Sequence, residues 1–316
     1  MVNASNPALC FLASSARHGG ALLGGGVFLG VLVPPLARVF HPVIAPSIIG
    51  LMTLVLLRVD IPAAIGHLRQ PVRLAVIVGF HALVCPVIAW AAAEALHLDA
   101  GIAAGVVIFA TGCAATSGAA FARMVGLDPE LSLIATLVTT IALPLTAPPM
   151  VYALIGVDLA ISLPAFMGRL ALVVGLPLVL SIGIRRVVGP ERLAPFGPAV
   201  DGGVVWLVLV YGIGVMDGLA ARMLADPLWV ALAFVAAVAA DFGFNALTTL
   251  VLAPFGWRVA ASAGMLSGNR NMALYLAVLP AAADVRLALF FALCQFPLFL
   301  SPFLLRPVYA LARRLA

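Results

Sequence analysis

Ser267-Gly268-Asn269-Arg270-Asn271 interrupts an apolar stretch, Trp257 to Pro280, that is otherwise long enough to cross a bilayer. A hydroxyl, two carboxamides and a guanidinium can hydrogen-bond and attract an anion, and all are costly against lipid. Freed backbone groups and a permanent cation are tolerated at membrane depth only against protein or a water-filled cavity, so the break is expected to line one. Arg270 lies 14 residues beyond Gly256 and Asp241 lies 15 before it. At 1.5 Å per residue both reach about 20 Å in, and antiparallel neighbours put them at one depth. An ion pair between them is expected. It would act either as a structural lock or as a mechanistic pair in which Asp241 titrates and Arg270 receives an anion.

A second break is expected at Gly112-Cys-Ala-Ala-Thr-Ser-Gly118. Glycine and serine also serve close helix packing, but Thr116 and Ser117 can donate to a solute as Asn269, Asn271 and Ser267 can. The expected substrate-binding set is therefore Arg270, Asn269, Asn271, Ser267, Thr116 and Ser117. Half-helix N-termini at the breaks would add partial positive charge for an anion. His81 is read as a buried, satisfied histidine, with a proton relay as the alternative.

The chain lacks a His-Glu-x-x-His pair, a Gly-x-Ser-x-Gly elbow and a glycine-rich loop followed by lysine, so an enzyme is not expected. Cys10, Cys85, Cys113 and Cys294 sit at unrelated spacings in apolar surroundings, against a disulfide framework or a metal site. No cofactor is expected. The expected partners are a small anionic solute and the lipid bilayer, with no nucleic acid.

The elements that must position these residues follow from composition. Of 316 residues, 64% are hydrophobic and only 9% charged, with a mean hydropathy of +1.21, whereas a soluble domain carries about a quarter charged residues. The chain is an all-α, polytopic membrane protein. Windows of about 20 apolar residues predict ten transmembrane helices, roughly 19–36, 40–57, 72–96, 100–126, 130–156, 162–184, 199–216, 227–255, 258–281 and 285–306. Residues 1–18 show no basic n-region or cleavage site, so no signal peptide is expected.

All 17 basic residues are arginine, which points to a GC-rich bacterial genome and hence to a bacterial inner membrane. Twelve of them, among them Arg17, Arg58, Arg69, Arg123, Arg258 and Arg314, fall on the side of the termini, against four (Arg38, Arg169, Arg222, Arg286) on the other. Both termini are then cytoplasmic. Glu94, Asp99, Asp158, Asp217, Asp226 and Asp284 fall on the opposite side.

An internal repeat is expected. Span four carries a break and is followed by Asp128-Pro-Glu-Leu opening span five; span nine carries a break and is followed by Asp284-Val-Arg-Leu opening span ten. Five spans per half is an odd number, so the second half enters the membrane inverted. The expectation is one membrane domain over 1–316, with a first repeat at 19–156 and an inverted second repeat at 162–312. Interrupted helices four and nine then meet at a midplane site, as in many secondary transporters.

Thr111 to Pro148, and Arg258-Val-Ala-Ala-Ser-Ala-Gly-Met-Leu-Ser-Gly-Asn-Arg-Asn-Met-Ala-Leu274, resemble the bile acid:sodium symporter superfamily. The resemblance implies a core domain of spans three to five and eight to ten, whose broken helices cross at the substrate site, and a panel of spans one, two, six and seven that moves against it. It also implies where sodium is held in coupled members: a serine-asparagine pair after the first break, and a glutamate and a glutamine around the Gly-Met of the second. Those places are here Gly118 and Ala119, and Ser262 and Leu266; only the matching hydroxyls of Ser132 and Thr136 remain. Hard cations take several oxygen ligands, so sodium coupling is disfavoured, and Asp241, Ser132 and Thr136 are the residues left for ion or proton coupling. The reading is a secondary transporter of a small organic anion working by alternating access. A related arsenite-exporter branch uses a cysteine at the first break, which makes a thiophilic oxyanion exporter using Cys113 the alternative. A non-transporting receptor or scaffold is the alternative of another class, though no loop is long enough for a partner-binding domain.

Overall fold

The computed structural model describes residues 7–17, 19–58, 71–156, 161–280 and 284–315. Arg69 and Asp158 of the orientation argument lie outside them. The described residues form helices joined by short turns, with no named strand among them. In chain order these are α1 (Pro7–Arg17), α2 (Gly19–Leu32), α3 (Pro34–Leu57), α4 (Pro71–Ala95), α5 (Ala100–Thr111), α6 (Gly118–Val125), α7 (Pro129–Ile155), α8 (Leu163–Val188), α9 (Gly197–Gly214), α10 (Leu219–Ala225), α11 (Pro227–Val251), α12 (Trp257–Gly268), α13 (Ala273–Val278), α14 (Val285–Leu304) and α15 (Arg306–Arg314).

Among the described residues, seven helical runs are long and apolar enough to cross a membrane: α3, α4, α7, α8, the run Pro190–Ala225, α11 and α14. The ten stretches expected from hydropathy are all helical, but three are not single long helices. Pro34 has no N–H and disfavours helix at Val33 before it, so α2 stops at 14 residues. The other two are α5/α6 and α12/α13, broken where the sequence places its glycine-rich interruptions.

Helix starts follow a repeated device that the charge count had hidden. Asp99, Asp128, Asp226 and Asp284 are N-caps whose carboxylates accept from backbone N–H groups of the first turn, and Ser162 does the same for α8. Asp128-Pro129 and Asp226-Pro227 pair a cap with proline in the first turn, where the missing N–H costs nothing. Gly126 and Gly156 end α6 and α7 at positive φ, 75° and 61°.

α9 lies against α1, α2 and α3, and α8 against both α3 and α7; α4, α5, α7, α11, α12 and α14 pack around the two breaks. The N-terminal α1, not anticipated from the sequence, sits on α9, where Trp206 Nε1 donates to Ser15 Oγ at 3.1 Å. α11 and α12 approach closely through Gly264 and Gly268. A Cβ at Gly268 would lie 2.5 Å from the Asp241 carbonyl oxygen, and one at Gly264 would strike Thr249 and the Asn245 carbonyl. This small-xxx-small spacing lets backbones meet where lipid offers no hydrophobic drive for association.

Candidate functional site: the crossing of two broken helices

α5 stops at Thr111 and the chain leaves it extended at Gly112 (φ −62°, ψ 149°); α12 stops at Gly268 and leaves it extended at Asn269 (φ −83°, ψ 95°). The two extended segments run antiparallel and form a bridge between Ala114 and Arg270. Ala115 N–H donates to the Asn269 carbonyl and Asn271 N–H to that of Cys113, both at 2.8 Å. Backbone groups freed by one break are thus satisfied by the other, which permits two unwound segments at this depth. Ala114 N–H reaches Thr139 Oγ1 of α7 at 3.3 Å, and Thr111 Oγ1 and the Tyr275 hydroxyl share a hydrogen bond of 2.7 Å.

Arg270 is 1% exposed and turned to carbonyl oxygens. Its Nε donates to Ser267 O at 2.8 Å, and one terminal nitrogen, Nη1, donates to Gly112 O at 2.7 Å and to His81 O at 3.1 Å. Two of these acceptors are explained by helix ends. Gly112 and Ser267 lie at the C-termini of α5 and α12, where carbonyls lack intrahelical donors and carry partial negative charge. The third is explained by Pro86. Cys85 N–H bonds to the Phe80 carbonyl, giving a wide π-turn over Phe80–Val84; in that register the His81 carbonyl would meet the nitrogen of residue 86, a proline without a hydrogen. The guanidinium also lies 5.9 Å from the Phe244 ring centroid, within cation–π range. Its other terminal nitrogen, Nη2, has no hydrogen-bond partner among the described residues, and the Cys85 thiol lies beside the Arg270 side chain.

The expected ion pair between Arg270 and Asp241 does not form. Neither carboxylate oxygen of Asp241 has a hydrogen-bond partner among the described residues, although Asp241 is 1% exposed. Equal depth on neighbouring helices was the reason to expect it. What α11 turns toward the guanidinium is Phe244, and the cation is drawn to the orphan carbonyls of α4, α5 and α12. Both half-helix C-termini, where the sequence reading looked to N-termini, therefore face Arg270.

The remaining sequence-derived residues divide by position. Asn269 is buried, and its Oδ1 accepts from Ser301 Oγ of α14 at 3.0 Å. Ser267 Oγ lies 3.4 Å from His81 Nδ1, and His81 Nε2 lies 3.0 Å from Gly112 O. His81 is therefore a buried histidine with both ring nitrogens engaged. Asn271 is buried, while Thr116 and Ser117 are partly exposed at the entry to α6. Cys113 is buried in the crossing itself. Ser132 is buried and spends its hydroxyl on the Asp128 carbonyl at 2.8 Å; Thr136 Oγ1, one turn on, has no partner among the described residues. Sequence reasoning missed the His81 carbonyl, Phe244 and Ser301. Of these, only the first left a signal, in Cys85-Pro86.

The residues present do not fit sodium. Gly118 has no side chain, and a Cβ there would lie 2.8 Å from Leu266 Cδ2 and 3.4 Å from Thr136 Oγ1. Leu266 thus fills the gap between the first break and α7 with hydrocarbon, in a cluster with Leu74, Ala114, Ile134 and Ala135. Ser262 is committed elsewhere, donating to Arg258 O at 2.8 Å and accepting from Asp128 N–H at 3.1 Å. A cavity of about 590 Å³ lies away from the crossing, between α2, α10, α11 and α14, with only apolar lining residues such as Phe28, Met223, Phe234 and Phe296.

Apolar helices long enough to span a bilayer, with two helices interrupted and hydrogen-bonded to each other inside the fold, are an arrangement found in many secondary transporters. The profile of the Sodium Bile acid symporter family matches residues 45–227, and the chain belongs to that family. The match includes the first break and ends before the second. No curated protein matches the chain.

Proposed function

We propose that this protein is a secondary carrier of a small organic anion, built as ten spans in two inverted repeats, working by alternating access in a bacterial inner membrane with both termini cytoplasmic, and not driven by sodium. The observation that carries the reading is Arg270. Its guanidinium is fixed among the carbonyls of Gly112, Ser267 and His81, and so leaves a permanent positive charge where two unwound segments meet. A cation arriving there meets repulsion in a medium that screens poorly, while an anion is attracted without a co-ion. Leu266 and Gly118 supply no side-chain oxygen ligand to offset the dehydration of sodium. The antiparallel pairing of residues 113–115 with 269–271 supports the inverted repeat, because halves of opposite orientation bring equivalent breaks together in opposite directions.

The test is uptake of a panel of carboxylates by proteoliposomes, with sodium exchanged for choline at constant ionic strength and pH. Saturable uptake of at least one carboxylate, unchanged in choline, is expected; steep sodium dependence overturns the sodium-free reading. Orientation is checked in whole cells with an impermeant thiol reagent and single cysteines at Ala225 and Leu315, both exposed. Ala225→Cys is expected to label and Leu315→Cys not; equal labelling sinks the topology.

A further inference from the structure

From the burial of Asp241 and the Ser301–Asn269 hydrogen bond beside it, we infer a proton-binding site separate from the Arg270 charge, in which Asp241 takes up and releases a proton and Ser301 relays its state to the crossing. The inference rests on the carrier reading above and names the coupling ion for it.

A carboxylate that is 1% exposed, with no hydrogen-bond donor among the described residues to either oxygen, is stable in the fold as the neutral acid and costly as the anion. Arg270, the cation expected to compensate it, is spent on three backbone carbonyls. Among the described residues the Ser301 hydroxyl lies beside Asp241, and it donates to Asn269 Oδ1 at 3.0 Å. A serine hydroxyl has a single hydrogen to donate. While Asp241 is protonated, Ser301 can hold Asn269, as observed. Once Asp241 is ionised, its carboxylate is the stronger acceptor, the hydroxyl rotates to it, and Asn269 Oδ1 loses its donor. Asn269 is where α12 unwinds, and its own carbonyl holds Ala115 N–H across the crossing. The charge on Asp241 is thereby transmitted to the pairing of the two broken helices.

The other titratable groups facing Asp241 are Cys294 of α14 and Tyr309 of α15. Tyr309 is occupied by Asn245 Nδ2, which donates to its hydroxyl. Neither is a cation, so protonation is the available route to neutrality. The step balances simply: an O–H bond forms at Asp241 with a proton from water on one side of the membrane and breaks to water on the other, while the anion crosses in the same cycle.

The experiment is an infrared pH titration of the whole protein in liposomes, followed by flux measurements. The carbonyl stretch of a buried, protonated carboxyl is expected to fade as pH rises, to shift on ¹³C-aspartate labelling, and to vanish in Asp241→Asn. The labelling arm needs no variant, so a folding defect in Asp241→Asn does not remove the test. Ser301→Ala is expected to move the titration to higher pH, because the ionised form loses its donor. A titrating band that survives in folded Asp241→Asn, or the lack of any such band in the labelled wild type, overturns the proton site. If the band behaves as expected but no carboxylate is transported, the anion-carrier reading fails and the proton site stands. If carboxylates are transported at a rate indifferent to an imposed pH gradient, the coupling role falls and the carrier reading stands.

Discussion

The Arg270 guanidinium donates to the Gly112 carbonyl at 2.7 Å, joining the cation of one broken helix to the C-terminal end of the other. With the bonds to Ser267 O and His81 O it ties α12, α5 and α4 together at one point. Hydrogen bonds from a charged donor contribute about 1.5–3 kcal/mol each. Arg270→Lys keeps the charge but cannot span three acceptors in a planar fork. It is expected to lower the thermal unfolding midpoint, and Arg270→Gln to lower it further. An unchanged midpoint in both would mean that the guanidinium is not a structural tie.

Because Asp241 and Arg270 are not an ion pair, removing both charges should not repair the loss from removing one. A buried pair broken on one side costs about 3–5 kcal/mol, much of it recovered when the partner is neutralised too. Asp241→Asn with Arg270→Gln is expected instead to unfold at or below the midpoint of Arg270→Gln alone. Recovery of folded yield in the double variant would restore the pairing that equal depth on neighbouring helices predicts.

Glycines on α11 and α12 are expected to differ sharply. Gly268→Ala puts a methyl group 2.5 Å from the Asp241 carbonyl oxygen, whereas Gly243→Ala meets nothing within 4 Å. Overpacking against backbone costs about 1–3 kcal/mol, so Gly268→Ala should lower thermal stability and Gly243→Ala leave it level or slightly raised. Equal effects would argue against the close approach of these helices.

Asp99 gives a pH dependence outside the spans. The Trp229 indole N–H donates to its Oδ1 at 3.0 Å, Gly101 N–H does so at 3.1 Å, and Arg286 lies 3.7 Å from Oδ2. The Trp229 bond is the largest cause that holds this carboxyl below its usual value, with the Gly101 bond and Arg286 adding to it. A depressed folded-state pKa stabilises above the unfolded-state pKa, and the contribution is lost as pH falls through the folded-state value. The difference in unfolding midpoint between wild type and Asp99→Asn should therefore be present at neutral pH and shrink in acid. A difference that grows in acid reverses the sign and refutes the linkage.

What the sequence determined by itself was whatever depends on local composition and spacing. Continuous apolar runs of about 20 residues require membrane helices, since such a run satisfies its own backbone groups in lipid by helix formation. Glycine beside polar residues marked both breaks, and Asp128 and Asp284 were legible as the openings of spans five and ten. Gly118 and Leu266 already lacked the oxygen atoms that sodium needs. Partner choice was another matter. Arg270 and Asp241 are both buried, but position along two helices says nothing of rotation about their axes. Rotation is set by how Gly264 and Gly268 let α12 settle on α11 and by which carbonyls lose their donors. The carbonyls of His81, Gly112 and Ser267 come from three chain segments, and only tertiary packing brings three orphan acceptors to one guanidinium and leaves Asp241 beside Ser301, Cys294 and Tyr309.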